Sequence, residues 1–110
     1  MKKVIKVSDK DAIKLTWGKM KSTNWQLPTI LEGTSLVYAE FTEAHGWSRT
    51  KERERIYMIL EGDAHFDING DTYPVSKGDV IVIPKKSRYN YTPTSSLLKI
   101  ILVMELWGKK

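Results

Sequence analysis

The chain has 110 residues, no cysteine and a formal net charge of +5. That length holds one domain with one core, and the missing thiols exclude a disulfide framework, a cysteine nucleophile and a thiolate zinc site together. With 41% hydrophobic residues the chain is too apolar for wholesale disorder, yet no run is long enough to span a bilayer.

In chain order, the start Met1-Lys2-Lys3-Val4-Ile5-Lys6 is basic. Asp9, Lys10 and Asp11 follow before any apolar stretch of the export type develops. A cytoplasmic location is therefore expected. Residues 1–35 hold no sustained period, and Asp11, Gly18, Asn24 and Pro28 interrupt them. They read as an amino-terminal arm of one or two short strands, with Trp17 and Trp25 packing on the rest. From residue 36 to 110 the pattern changes to short apolar runs rich in β-branched and aromatic residues. These are 36–41, 55–60, 64–68, 79–83, 88–91 and 97–104. They are too short for typical helices and predict an all-β domain. Asn69-Gly70 suits a two-residue hairpin turn, because both positions accept positive φ. Pro74 places the following strand at an edge or a bulge. The densest basic run, Arg49 to Arg55, is broken by Glu52 and Glu54. Neither a nucleic-acid surface nor a membrane surface is expected from it. An anionic small molecule is.

Two stretches carry a resemblance. Arg55-Ile56-Tyr57-Met58-Ile59-Leu60-Glu61-Gly62 resembles the second half of motif one of the cupin superfamily, and Gly78-Asp79-Val80-Ile81-Val82-Ile83-Pro84 through Tyr89 resembles its motif two. The Asn69-Gly70 hairpin lies where cupins place their inter-motif link. The resemblance implies a single-domain jelly-roll barrel, a double-stranded β-helix, formed by residues 36–110. It also implies a homodimer in which amino-terminal strands pack or exchange.

The metal site that the resemblance would bring does not carry over. Arg55 stands at the motif-one Glu position and Tyr89 at the motif-two His position. No His occurs in 48–51, where two more ligands are due. A guanidinium has no lone pair to offer a cation, so neither a metal nor another cofactor is expected.

Strand parity puts Arg55 and Tyr57 on one face, and Tyr89 and Tyr91 on another. Arg49 or Lys51 is expected to join them, with Trp47 stacking at the barrel mouth. Such a pocket suits a carboxylate, sugar acid or sugar phosphate, held by the guanidinium fork and phenol donors. Arg55 takes either that ligand or an internal carboxylate, Glu40, Glu52 or Glu54, as its partner.

Two other readings stand beside small-molecule binding, so the sequence leaves open whether the protein is an enzyme. One is a metal-independent isomerase, epimerase or lyase on a sugar or acid. There, Tyr57 or Tyr89 is the general acid, its pKa lowered by Arg55, and His45 is the base. The other is a divergent metal-dependent enzyme using His45 with Glu52 or Glu54. His65 is expected to face solvent beside Asp67, and Trp107 to serve packing.

Overall fold

A computed structural model describes residues 8–18, 20–26 and 34–105; the side chains of Asp9, Trp17 and Gln26 lie outside the described set, as does all of Trp107. After a short 3-10 turn at Asp9–Asp11, the described residues form ten strands. They are β1 Ile13–Trp17, β2 Met20–Gln26, β3 Thr34–Phe41, β4 Ser48–Arg49, β5 Arg55–Glu61, β6 Asp63–Ile68, β7 Asp71–Ser76, β8 Val80–Ile83, β9 Arg88–Pro93 and β10 Leu98–Glu105. Among the described residues no helix is long and apolar enough to cross a membrane.

The strands build two antiparallel sheets, ordered β1-β2-β3-β10-β5-β8 and β4-β9-β6-β7. Their facing sides enclose one core, as the period-two alternation of the apolar runs requires. On β5, Tyr57 and Ile59 are buried while Ile56 and Met58 face out. On β9, Tyr89 and Tyr91 point in. Phe66, Ile83 and Leu98 are fully enclosed between the sheets.

The stretch read as an arm is a hairpin that extends the larger sheet, with β2 paired to β3 from Lys21↔Glu40 to Gln26↔Ser35. Its inward side carries Ser22 and Asn24, both buried. Polar residues on the inner face hide the alternation, which is why the sequence shows no period there. Trp25 is half-buried and its indole N–H donates to the Ser8 carbonyl at 3.0 Å.

Asn69 and Gly70 take φ of 49° and 93°, as a hairpin turn with two positive φ values demands. The two residues join β6 to β7, and β7, which carries Pro74, is the edge of its sheet. His65 lies 3.6 Å from Asp67 on the outer side of β6.

Among the described glycines the most crowded is Gly62, between β5 and β6. Its φ is +91°, and a methyl group there would run into the Leu97 carbonyl oxygen and the Ser95 hydroxyl. Gly70 has a similar φ with open space around it. Gly62→Ala therefore combines backbone strain with a clash against main chain, and should cost about 3 kcal/mol in urea unfolding. Gly70→Ala should cost about 1 kcal/mol, the strain alone. Equal losses would show that the close approach at Gly62 contributes nothing.

Candidate functional site

The interior of the barrel holds a charge. Arg55 begins β5 and turns inward, its side chain 11% exposed. Its Nη1 donates to the Tyr89 hydroxyl at 2.6 Å and its Nη2 to Glu105 Oε2 at 2.9 Å. The Tyr89 hydroxyl lies 3.1 Å from that of Tyr57. The Tyr57 and Tyr91 rings meet edge to face, with centroids 5.2 Å apart. Burial works against the charge on Arg55, but the Glu105 bond and charge prevail and hold the guanidinium protonated. Burial likewise pushes the Glu105 carboxyl up, and the Arg55 hydrogen bond outweighs it, leaving it below its usual range.

The phenols behave differently. Tyr57 is pushed well above the ordinary phenol value, first by burial and then by the neighbouring phenols. Arg55 lowers it only as a lesser effect. This corrects the expectation that Arg55 would acidify Tyr57: desolvation of a fully enclosed phenolate outweighs a cation already neutralised by Glu105. Tyr91 is raised in the same way, again chiefly by burial. Both are neutral hydrogen-bond donors at pH 7.

His45 lies in the loop between β3 and β4. Its backbone N–H donates to the Tyr91 carbonyl at 2.9 Å, and the Gly46 N–H to Asn90 Oδ1 at 2.8 Å. The loop is thus pinned to β9 at two successive residues. Gly46, at φ 101°, turns its own carbonyl back to within 2.8 Å of His45 Nδ1. A carbonyl only accepts, so Nδ1 carries the hydrogen and Nε2 keeps the lone pair. The ring stacks on Tyr91 with centroids 4.7 Å apart and planes 17° from parallel. Burial lowers its pKa, the Gly46 bond opposes that, and the Arg55 charge lowers it again. His45 is a neutral imidazole at pH 7.

His45 and Tyr91 stand on the wall of a cavity of about 130 Å³. The remaining wall is the inward side of β2, β3 and β10, where Ser22 and Asn24 supply the polar groups. The volume is close to that which takes up one benzene-sized ring. Among the described residues no Lys, Arg, Asp or Glu lines it.

Of the residues singled out in the sequence, the barrel brings together Arg55, Tyr57, Tyr89, Tyr91 and His45. Trp47 and Arg49 do not join them, which corrects that expectation. On the two-residue strand β4 it is Ser48, not its neighbours, that sits on the inner side opposite Tyr89. Trp47 is half exposed and stacks under the Arg88 guanidinium at 4.0 Å, and Arg49 is exposed. The internal partner of Arg55 is Glu105, not Glu40, Glu52 or Glu54. Pattern reading missed Ser22, Asn24 and Glu105, because polar residues on strands carry no apolar signal.

The residues at the metal-ligand positions do not suit a divalent cation. Arg55 is a cation bound to a carboxylate, and Tyr89 is tied to it. Among the described residues no three His, Cys, Asp or Glu side chains gather closely enough to hold an ion.

A family model for the cupin domain matches residues 35–104. No curated protein matches the sequence. Among solved structures, the chain is similar to Streptomyces Pac13, a nucleoside dehydratase, with a TM-score of 0.78 and 15% identity over 96% of this chain and 86% of that one. Variants of that protein with a tyrosine or a histidine replaced have been solved with uridine. The cupin domain of Cnp3 from Schizosaccharomyces pombe aligns with a TM-score of 0.72 and 13% identity over 94% and 74% of the two chains. A cupin-2 domain protein from Shewanella frigidimarina gives 0.62 and 14% over 67% and 72%. At these identities the likeness is one of fold.

Two outcomes follow from the geometry. Arg55→Met leaves Glu105 without its cation and should cost about 2–3 kcal/mol of stability, the partial exposure of Glu105 moderating the loss. Adding Glu105→Leu should recover most of it in the same urea titration. The second outcome concerns pH. Because the folded pKa of His45 lies below the unfolded value of 6.5, the unfolded chain binds the extra proton first. The contribution of His45 is complete above about pH 6.5 and is lost as the pH falls toward the folded value. Between pH 7.5 and 5.5 the wild type should lose more stability than His45→Gln; parallel curves would show that the imidazole is not buried in neutral form.

Proposed function

This chain belongs to the cupin domain family, and we propose that it is a metal-independent lyase acting on an uncharged, ring-containing small molecule of nucleoside type. The observation that carries the reading is His45: a neutral imidazole with Nδ1 anchored to a backbone carbonyl and Nε2 unprotonated, on the wall of a cavity without charged residues. The anion expected from the sequence finds no cation on that wall, since the charge of Arg55 is met by Glu105.

The pKa values of the site move apart in the directions that acid–base work requires. His45 is lowered and so is a base at neutral pH. Tyr57 and Tyr91 are raised and so remain proton donors. An imidazole abstracts a proton from carbon only where an adjacent carbonyl acidifies it. The reaction in keeping with this is elimination of water from a β-hydroxy carbonyl compound. Nε2 of His45 takes the α-proton, the C=C bond forms, and the β-hydroxyl leaves with the proton of the Tyr91 phenol. Return of the proton from His45 to Tyr91 restores the site. A cavity of this volume encloses one ring, so the rest of a nucleoside would lie in the mouth.

The similarity to a nucleoside dehydratase supports the substrate class. The residues replaced in its uridine-bound variants, tyrosine and histidine, are the types that gather here.

The test has two parts. Uridine should raise the melting temperature of the wild type, as any ligand of the native state does. In D₂O, a panel of β-hydroxy carbonyl nucleoside derivatives should include one that takes up solvent deuterium at the α-carbon or loses water. His45→Gln should slow that reaction by about 10²–10⁴-fold. If uridine stabilises wild type and variant alike while no compound exchanges or eliminates, the cavity is a binding pocket without catalysis.

A further inference from the structure

The polar floor of the cavity is oriented by the strand outside it. Ser22 and Asn24 stand two apart on β2, so both face inward, and they are 6% and 3% exposed. Asn24 Nδ2 donates to the Ile13 carbonyl at 3.0 Å and to the Ser22 hydroxyl oxygen at 3.1 Å. A carbonyl only accepts, so the Ile13 contact fixes which end of the carboxamide is nitrogen. Turning the amide over would set oxygen against oxygen and forfeit both bonds. The two hydrogens of Nδ2 are thus committed, and the Asn24 oxygen has no partner among the described residues. Among those residues the polar atoms sealed in without a partner are on Arg55 and Glu105, so the Asn24 oxygen borders open space. Ser22 accepts from Asn24, and its own hydrogen has no acceptor among the described residues. Both side chains line the cavity. Its floor therefore offers one acceptor and one donor side by side, tied together through a single nitrogen.

We propose that Ser22 and Asn24 form a binding site for a cis amide, the N–H and C=O edge of a lactam or cyclic imide, and so select the ring that the cavity takes. The ligand N–H donates to the Asn24 oxygen, and the ligand carbonyl accepts from the Ser22 hydroxyl. A carboxamide free to turn would serve either order of donor and acceptor, and the Ile13 carbonyl removes that freedom. Ile13 lies opposite Asn24 in the pairing of β1 with β2, and β1 contributes no residue to the cavity wall. The outer strand of the hairpin thus sets what the cavity reads. The inference rests on the cavity being the ligand site, and it narrows the substrate class to rings with an amide edge, such as that of uracil.

δ-Valerolactam and cyclohexanone test it. They are rings of one size, each with a carbonyl, and they differ in one N–H. Their affinities are read from chemical-shift titrations of the folded protein, and the measured quantity is the ratio of the two. Asn24→Leu keeps the Ser22 donor and removes the acceptor. It should shift the ratio against the lactam by roughly three- to tenfold relative to the wild type. Where that variant does not fold, the wild type with bound lactam decides, by a nuclear Overhauser contact from the lactam N–H to the Asn24 methylene group; absence of the contact overturns the inference. A ratio that Asn24→Leu leaves unchanged, or a wild type that binds cyclohexanone alone, overturns the amide site and leaves the cavity reading intact. A wild type that binds neither ring overturns the cavity reading, and the inference with it.

Discussion

A guanidinium taken into a barrel forfeits hydration worth several kcal/mol, and only close hydrogen-bond partners return it. Arg55 meets that condition with one carboxylate and one phenol, Glu105 and Tyr89. The contact with Glu105 uses one nitrogen and one oxygen, leaving Nε and Oε1 buried without a protein partner. A forked pair would satisfy both atoms. The geometry instead aims Nη1 at Tyr89, so the guanidinium divides its donors between a carboxylate and a phenol. Glu105 closes β10, the strand that pairs with both β3 and β5. The charge balance of the interior thus depends on the centre of the larger sheet being in register.

That balance shapes the electrostatics of the cavity next to it. An unpaired Arg55 would draw phenols toward ionisation and the cavity toward anions. Once Glu105 has neutralised it, desolvation dominates Tyr57 and Tyr91, and both stay protonated. The residual field of the cation still lowers His45, in the same sense as burial. One ion pair therefore sits behind a neutral base and neutral acids at the same pH. The imidazole stacked on Tyr91 keeps the two roles within one wall of the cavity.

The strands and the inward phenols were legible because β5, β6, β9 and β10 alternate cleanly, and the two-residue turn at Asn69-Gly70 fixes the register between β6 and β7. The barrel face of Arg55 followed from its parity with Tyr57. Its partner did not, because Glu105 lies 50 residues on and looks in the sequence like any acidic end of a strand. The orienting group of His45 was invisible for another reason: it is a backbone carbonyl, set by the φ of Gly46, and no side-chain pattern records it. Trp47 and Arg49 misled because parity over two residues of β4 is too short to choose a face. The polar floor of the cavity, Ser22 and Asn24, was hidden in a segment without period.

The same barrel position can serve a cation or an organic ligand, and the donor set decides between them. Two imidazoles, a carboxylate and a third imidazole aimed inward would leave lone pairs converging on a point, which only a metal satisfies. Here Arg55 and Tyr89 face each other where such ligands would stand, and their hydrogen bond closes that space. The open volume moves sideways, against β2 and β3, where its wall is mainly apolar. A ligand there would be held by shape and by a few polar groups, Ser22, Asn24, His45 and Tyr91, and not by a charge on the wall.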